Sequence, residues 1–365
     1  MIQNEHWVTP APTMNDPLQE YIEHIAFGNH LQSDQILEIA QSLTKEAVTD
    51  ESKFLFLKEL ALKGETNEEF TGFVSAFRSF ATDPGLDDFA GSAIDLCGTG
   101  GDRSGSFNIS TFVSMMVASA GVPVIKHGNR SISSKCGSAD LLEALGIPLE
   151  TKPERNKASL SELNFCFLFA PHFHPSFKSL APVRQSLAKE GIITMFNRLG
   201  PCLNPARPAF QVLGVYDPSY LEQIAHCLEA NGGKSGWVVH GTVDQAPDAC
   251  MDELTACGRN LVQGYGNLSS SCPQSLYPAH WGQNQHPLEH LMGGDLKQNL
   301  SIVQKLLQGD APAGLLSTVL INASSALWIA GKVQSIEEGV SFAKELLQSG
   351  TVANWLKRAE TFFSK

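Results

Sequence analysis

The stretch SAIDLCGTGGDRSGSFNIST at residues 92–111 decides the fold, because an apolar run breaks there into a glycine-rich loop and re-enters a helical pattern at Ser110. Ile94 to Cys97 read as a buried strand end. Gly98, Gly100 and Gly101 let the backbone turn with its N–H groups converging, and Asn108, Ser110 and Thr111 are placed to cap the next helix. Exposed N–H groups and the positive end of a helix dipole favour an anion, and the hydroxyls of Ser110 and Thr111 can bond phosphate or reach a metal. A glycine-rich turn by itself also serves simply to reverse a chain between strand and helix.

The same grammar returns one strand and one helix later, in VPVIKHGNRSISSKCGSADLLEALG at residues 122–146. Val122 to Ile125 make a β-branched strand. Lys126, His127, Asn129, Arg130, Ser131, Ser133, Ser134 and Lys135 then crowd into one loop before Ser138, which is expected to cap a helix through Leu141, Leu142 and Leu145. Such a density of cations and hydroxyls around a Gly-Asn turn points to a polyanion site. His127 reads either as a substrate contact or as a packed side chain bonded to a neighbouring carbonyl.

The pair GTGGD…FNIST and KHGNRS.SSK.GSAD.LEALG resembles the anthranilate phosphoribosyltransferases, members of the nucleoside phosphorylase-like phosphoribosyltransferases. Residues 59–69 (ELALKGETNEE), 168–175 (LFAPHFHP), 196–205 (FNRLGPCLNP), 251–254 (MDEL) and 321–348 extend the resemblance in family order, from about residue 16 to the C-terminus. It implies a transfer of the phosphoribosyl group of phosphoribosyl pyrophosphate (PRPP) to anthranilate, in tryptophan biosynthesis, by a Mg²⁺-dependent homodimer. The donor would be held by Gly98, Gly101, Asp102, Ser106, Asn108, Ser110, Thr111, Lys126, Asn129, Arg130, Ser133, Ser134 and Ser138. The acceptor would meet Gly98, His127, Asn129 and Arg184, whose guanidinium suits a planar carboxylate. Asp252 and Glu253, with Ser110, would hold Mg²⁺, and Lys126, Asp252 and Glu253 are the catalytic candidates. An isolated Asp-Glu doublet usually means solvated surface, and Arg184 in APVRQSL would ordinarily be a salt bridge.

Composition sets the frame. The 365 residues are 42% hydrophobic and 18% charged, ordinary for a soluble globular chain of about two domains. A net charge of −12 argues against a general affinity for nucleic acid or an anionic membrane. The eight cysteines include no C-x-x-C pair and read as small buried hydrophobes in a reducing compartment, and no signal peptide or membrane span is visible. The cytoplasm is therefore the expected location.

Residues 1–15 read as a loose leader. Apolar stripes at helical spacing then predict four helices: one opening at Asp16-Pro17, one at Ser33-Asp34, one over 54–62 closed by Gly64, and one with a Thr66/Glu69 capping box. DPGLDD at 83–88 ends this helical domain, assigned to 16–88. Alternating strands at 92–97, 122–126, 165–169, 210–215 and 236–240, with helices at 110–120, 138–146 and 219–230 and a helical region from about 298, predict an α/β domain with a mostly parallel sheet flanked by helices. That domain takes residues 89–175 and 205–365, and the resemblance implies that 176–204 return to the helical domain. Ligands belong at the C-terminal strand ends. His172 and His174 in PHFHP read as a pocket wall rather than a metal pair.

The chain departs from the family pattern at Arg103, where a glycine usually follows GTGGD, and at Gln185, where a second basic residue is usual. The interval from Arg184 to Phe196-Asn197 is about three residues longer than usual, and NRLGPCLNP replaces NLLGPLTNP. These departures lie nearer the acceptor side or the loop rim than the pyrophosphate core, and three alternatives stay open: a paralogue with another amine acceptor, a nucleoside phosphorylase of the same fold, and a catalytically silent nucleic-acid-binding relative.

Overall fold

A computed structural model of the chain describes residues 16–130, 135–149, 152–246 and 248–364. The expected leader 1–15, together with Ser131, Ser133 and Ser134, lies outside the described residues. The N-terminal part is helical, with helices Gln19–Ala26, Ser33–Thr44, Asp50–Lys63 and Asn67–Ser79. The capping box forms as expected. Glu69 N–H donates to Thr66 Oγ1 at 3.1 Å, and Thr66 N–H donates to Glu69 Oε2 at 2.8 Å. The same buried carboxylate also takes Lys63 Nζ at 2.7 Å and Leu31 N–H at 2.8 Å, which ties three helix ends together. Gly64 closes the third helix at φ +82°, a conformation that only glycine adopts without strain.

The larger part is an eight-stranded sheet with helices on both faces. Strands β1 (Ile94–Gly98), β2 (Val124–Gly128), β3 (Phe165–Phe169), β4 (Phe210–Gly214) and β5 (Ser235–Thr242) are parallel, in the order β3-β2-β1-β4-β5. The short β6 (Cys250–Met251) and then β7 (Asn260–Gly266) pair antiparallel with β5, and β8 (Gln274–Leu276) pairs with β7. This antiparallel edge was not legible, because GRNLVQGYGN carries glycines that weaken a strand pattern. The helix Pro153–Leu163 was likewise missed, its polar composition giving a weak stripe.

One face of the sheet carries Ile109–Ser119, packed beneath the almost wholly buried Ala313–Ile329 and the C-terminal helices Ile336–Gln348 and Thr351–Phe363. The other face shares a core with the N-terminal helices: Leu213, Val215, Ile224 and Val238 join Phe56, Phe70, Phe73 and Phe77. Leu180, Val183, Leu187, Met195, Phe196 and Leu199 lie in that same core, so the segment after β3 packs back on the N-terminal helices. All eight cysteines are free, and six are buried. No single helix among the described residues is long and apolar enough to cross a membrane.

Candidate active site

The parallel strands end in register, Gly98 of β1 beside Gly214 of β4, and the segment after β6 lies across these ends. The two glycines are required there. A Cβ on Gly98 would fall 2.2 Å from Asp252 Oδ2, and one on Gly214 would fall 1.6 Å from the Asp252 carbonyl oxygen. Asp252 is thereby seated on the strand ends, and its Oδ2 accepts from Gly100 N–H at 2.6 Å. Its neighbour Glu253 accepts from Ser110 N–H at 3.1 Å through Oε1. The doublet thus fastens the glycine loop at one end and the first turn of Ile109–Ser119 at the other, across more than 140 residues of sequence.

Lys126, in the middle of β2, is 2% exposed and donates to Leu96 O and, at 3.2 Å, to Ser110 Oγ. Enclosed in this way, its ammonium acts from behind Ser110, beside Asp95 and Glu253, rather than lying open as the loop reading implied. Burial raises Asp95 to about 6 against the pull of Lys126, and Asn204 Nδ2 steadies its carboxylate at 2.9 Å. Burial also raises Asp252 well above the ordinary carboxylate range, with Asp102 and Glu253 adding repulsion, and raises Glu253 to about 7. Carboxyls buried and crowded together in this way are a donor set suited to a hard divalent cation. Each commits one oxygen to the backbone and keeps another, and no group of three or more His, Cys, Asp or Glu side chains that could hold an ion occurs among the described residues. The set therefore fits Mg²⁺ bound partly through water and a phosphate ligand, not in a closed protein cage.

Several expected caps are corrected. Asn108 stands at the N-cap, but its side chain makes no cap bond; it donates to Cys136 O at 3.0 Å and accepts from Asn299 Nδ2 at 2.9 Å, tying three segments together. Thr111 is buried with Oγ1 unpartnered, turned inward by the helix phase. Ser138 is the first helical residue rather than the cap. Gly137 takes the cap position, its N–H donating to Asp140 Oδ2 at 2.9 Å, while Ser138 Oγ donates to Asn129 O at 3.2 Å. Arg130 is committed to Asp140 at 2.6 Å and Glu143 at 2.9 Å. Asp102 accepts from Ser104 Oγ at 2.8 Å, and Ser106 is pinned by its backbone bridge to Met292. Arg103 adopts φ +55°, the left-handed conformation that explains why glycine is usual there.

The acceptor-side candidates are joined by rings. His127 packs edge-on against His174 at 5.1 Å, His174 stacks on Phe177 at 5.5 Å, and Phe177 meets Phe196 at 5.7 Å. Arg184 lies over the Phe196 ring at 5.6 Å and donates to Phe196 O at 3.4 Å, with no carboxylate partner among the described residues. An ordinary salt bridge is therefore not what holds Arg184. Of the two histidines of PHFHP, His174 is buried in this row of rings, whereas His172 is exposed and packs edge-on against Phe169 at 5.3 Å. Asp95, Asn204 and Gly214 were missed, since isolated residues that meet their partners only across the fold carry no spacing signal.

Burial, His174 and Lys126 together lower His127 to about 3, with Nε2 unpartnered. An unfolded imidazole protonates near 6.5. Between these values the unfolded chain binds the extra proton, so this group removes stability as pH falls from 6.5 towards 3. From pH 7 to pH 5 the loss is about 2 kcal/mol. The raised carboxyls act oppositely, but they are common to wild type and His127→Asn and cancel in the difference. Denaturant unfolding of both proteins should therefore show the stability gap moving by about 2 kcal/mol in the variant's favour at pH 5. A gap independent of pH would mean that the imidazole is not held neutral.

Two family descriptions match the chain: the glycosyl transferase family a/b domain over residues 90–353, and the glycosyl transferase family helical bundle domain over 19–81. The anthranilate phosphoribosyltransferase of Listeria monocytogenes is 40% identical over 88% of this chain and 91% of its own length. The crystal structure of that enzyme from Thermus thermophilus is 37% identical, covers 94% of this chain and 99% of its own, and superposes with a TM-score of 0.82. The chain belongs to the anthranilate phosphoribosyltransferase family. It is thus a pentosyltransferase with the helical-plus-α/β fold of that family. The Saccharomyces cerevisiae enzyme in complex with PRPP and Mg, 24% identical, shares the fold at a TM-score of 0.78, covering 95% of this chain and 98% of its own.

Proposed function

We propose that the chain transfers the phosphoribosyl group of PRPP to anthranilate and releases pyrophosphate, the tryptophan-pathway reaction of its relatives. The observation that carries this reading is the Asp252-Glu253 doublet, bonded at once to the glycine loop and to the helix that follows it. The C1′–O bond to pyrophosphate breaks, the C1′–N bond to the amine forms, and the amine proton passes to solvent. Mg²⁺ held by Asp252, Glu253 and the donor pyrophosphate would neutralise charge on the leaving group. Gly98, Gly101, Asp102, Ser106 and Ser110 surround the donor, and Lys126 sets a positive charge behind Ser110. Anthranilate is oriented by Asn129 and by Arg184, against the wall of His127, His174 and Phe177. Orientation supplies much of the acceleration, since no strong base is needed for an aromatic amine meeting an oxocarbenium-like carbon.

In the domain division 16–88 with 176–204, against 89–175 and 205–365, the joining of 176–204 to 16–88 is supported by the packing of Leu180, Val183 and Leu187 with the N-terminal helices, in a core that also takes in Leu213, Val215 and Val238 of the larger part. A cytoplasmic homodimer is supported by free cysteines and by exposed Phe27, Leu62 and Ile193 on the N-terminal helices and the segment 176–204 that packs on them; light scattering of a dilute sample showing only monomer would oppose it.

Pyrophosphate release with a panel of amines tests the reading. Anthranilate should be the preferred acceptor, and Arg184→Ala should raise its KM roughly 10- to 100-fold with donor KM nearly unchanged, the scale of one lost charged hydrogen bond. A wild type that prefers an uncharged amine would remove the acceptor assignment and leave phosphoribosyl transfer standing.

A further inference from the structure

Arg198, the departure from the family's NLLGP pattern, is 6% exposed, so this chain buries a charge there. The structure shows what it holds. Its Nη2 donates to Glu65 Oε2 at 2.6 Å, beside the N-terminus of Asn67–Ser79, and its Nε donates to Gln223 Oε1 at 3.1 Å in the helix behind β4. Gln223 Nε2 in turn donates to Glu65 O at 3.2 Å. The guanidinium is sandwiched between Phe70 at 5.1 Å and Tyr220 at 4.6 Å. A cavity of about 410 Å³ opens along Glu65, Arg198, Tyr220 and Gln223, so the guanidinium is held by these bonds and by the two rings.

The contacts continue to the chemistry. Tyr220 meets Tyr216 edge-on at 5.7 Å, with their hydroxyls 3.5 Å apart. Tyr216 lies under the glycine loop: a Cβ on Gly101 would be 3.4 Å from its ring, and its N–H donates to Thr99 Oγ1 at 3.3 Å. Its carbonyl accepts from Cys250 Sγ at 3.1 Å, two residues before Asp252.

We propose that Arg198 is a positioning residue that couples the seating of the helical domain to the height of the glycine loop, through Tyr220 and Tyr216. This inference rests on the assignment of that loop to the PRPP donor.

The test compares wild type, Arg198→Lys, Tyr216→Leu and the double variant R198L/E65L, which removes the ion pair without stranding Glu65. Kinetics should show R198L/E65L raising the KM for PRPP roughly 10-fold, within the range for residues coupled to a site they do not touch, with the anthranilate KM moving less than about 3-fold. Arg198→Lys, which keeps the charge and loses the planar stack, should fall between. Tyr216→Leu should reproduce the donor defect, and adding it to R198L/E65L should bring little more. The coupling is overturned if R198L/E65L changes the melting temperature but not the PRPP KM, if the Tyr216 effect is additive, or if only the anthranilate KM rises. Calorimetric binding of PRPP with Mg²⁺ separates this from the parent reading. A wild type that binds donor but transfers it to no amine overturns the proposed function alone, equal donor affinities in wild type and R198L/E65L overturn the coupling alone, and a wild type that binds no PRPP overturns both.

Discussion

Gly214→Ala is expected to abolish turnover, because the new methyl would sit 1.6 Å from the Asp252 carbonyl oxygen and 2.1 Å from its carbon. Those atoms are backbone, so no side-chain rotation relieves the clash, and the segment carrying Asp252 and Glu253 must lift off the strand end. A displacement near 1 Å at a catalytic group costs roughly 100-fold, and here both carboxylates move together. Since Asp252 holds Gly100 and Glu253 holds Ser110, the loop and the helix N-terminus lose their fastening as well. A loss of at least about 100-fold in kcat/KM, with far-UV circular dichroism preserved, is the expected result. Turnover within a few-fold of wild type would show that the doublet can shift without consequence, and would remove it from the site.

The second large effect separates stability from activity. In Asp252→Asn/Glu253→Gln, each amide oxygen can still accept from Gly100 N–H and Ser110 N–H, while the like charges are gone. Burial and mutual repulsion already disfavour ionisation of this pair, so the melting temperature should stay level or rise. Turnover should fall roughly 1000-fold, since neutral amides give the metal and the departing pyrophosphate no countercharge. Excess Mg²⁺ should not restore it, whereas EDTA should silence the wild type. A double variant that is destabilised and yet active would mean that the carboxylates serve the fold and not the reaction.

Much of this site is legible in residue type and spacing. GTGGD and KHGNRS each follow a β-branched or apolar strand and precede a helical stripe, and that local alternation places both loops at the C-terminal strand ends. Thr66 and Glu69 announce their helix because a capping box is satisfied within four residues. The continuous apolar run Phe165–Phe169 announces a strand covered on both faces. In each case the deciding interaction is short in sequence, so the local pattern carries it.

What the chain order could not reveal are contacts made across long separations. Gly214 is indispensable only because Asp252 arrives over it, and Asn204 matters because it meets Asp95 across 109 residues. Lys126 reads as an exposed donor in a basic loop, yet tertiary packing encloses it behind Ser110, and Arg130 is drawn to Asp140 and Glu143 instead of standing free. Arg198 looks like a stray departure in a motif until Glu65, 133 residues away, closes on it. Sequence alone determined the strand-loop-helix units, since their periodicity and turn chemistry are local. Only the tertiary structure decided which loop cation is enclosed and which is paired, because the partners that neutralise or enclose a charge are brought to it by the packing of other segments.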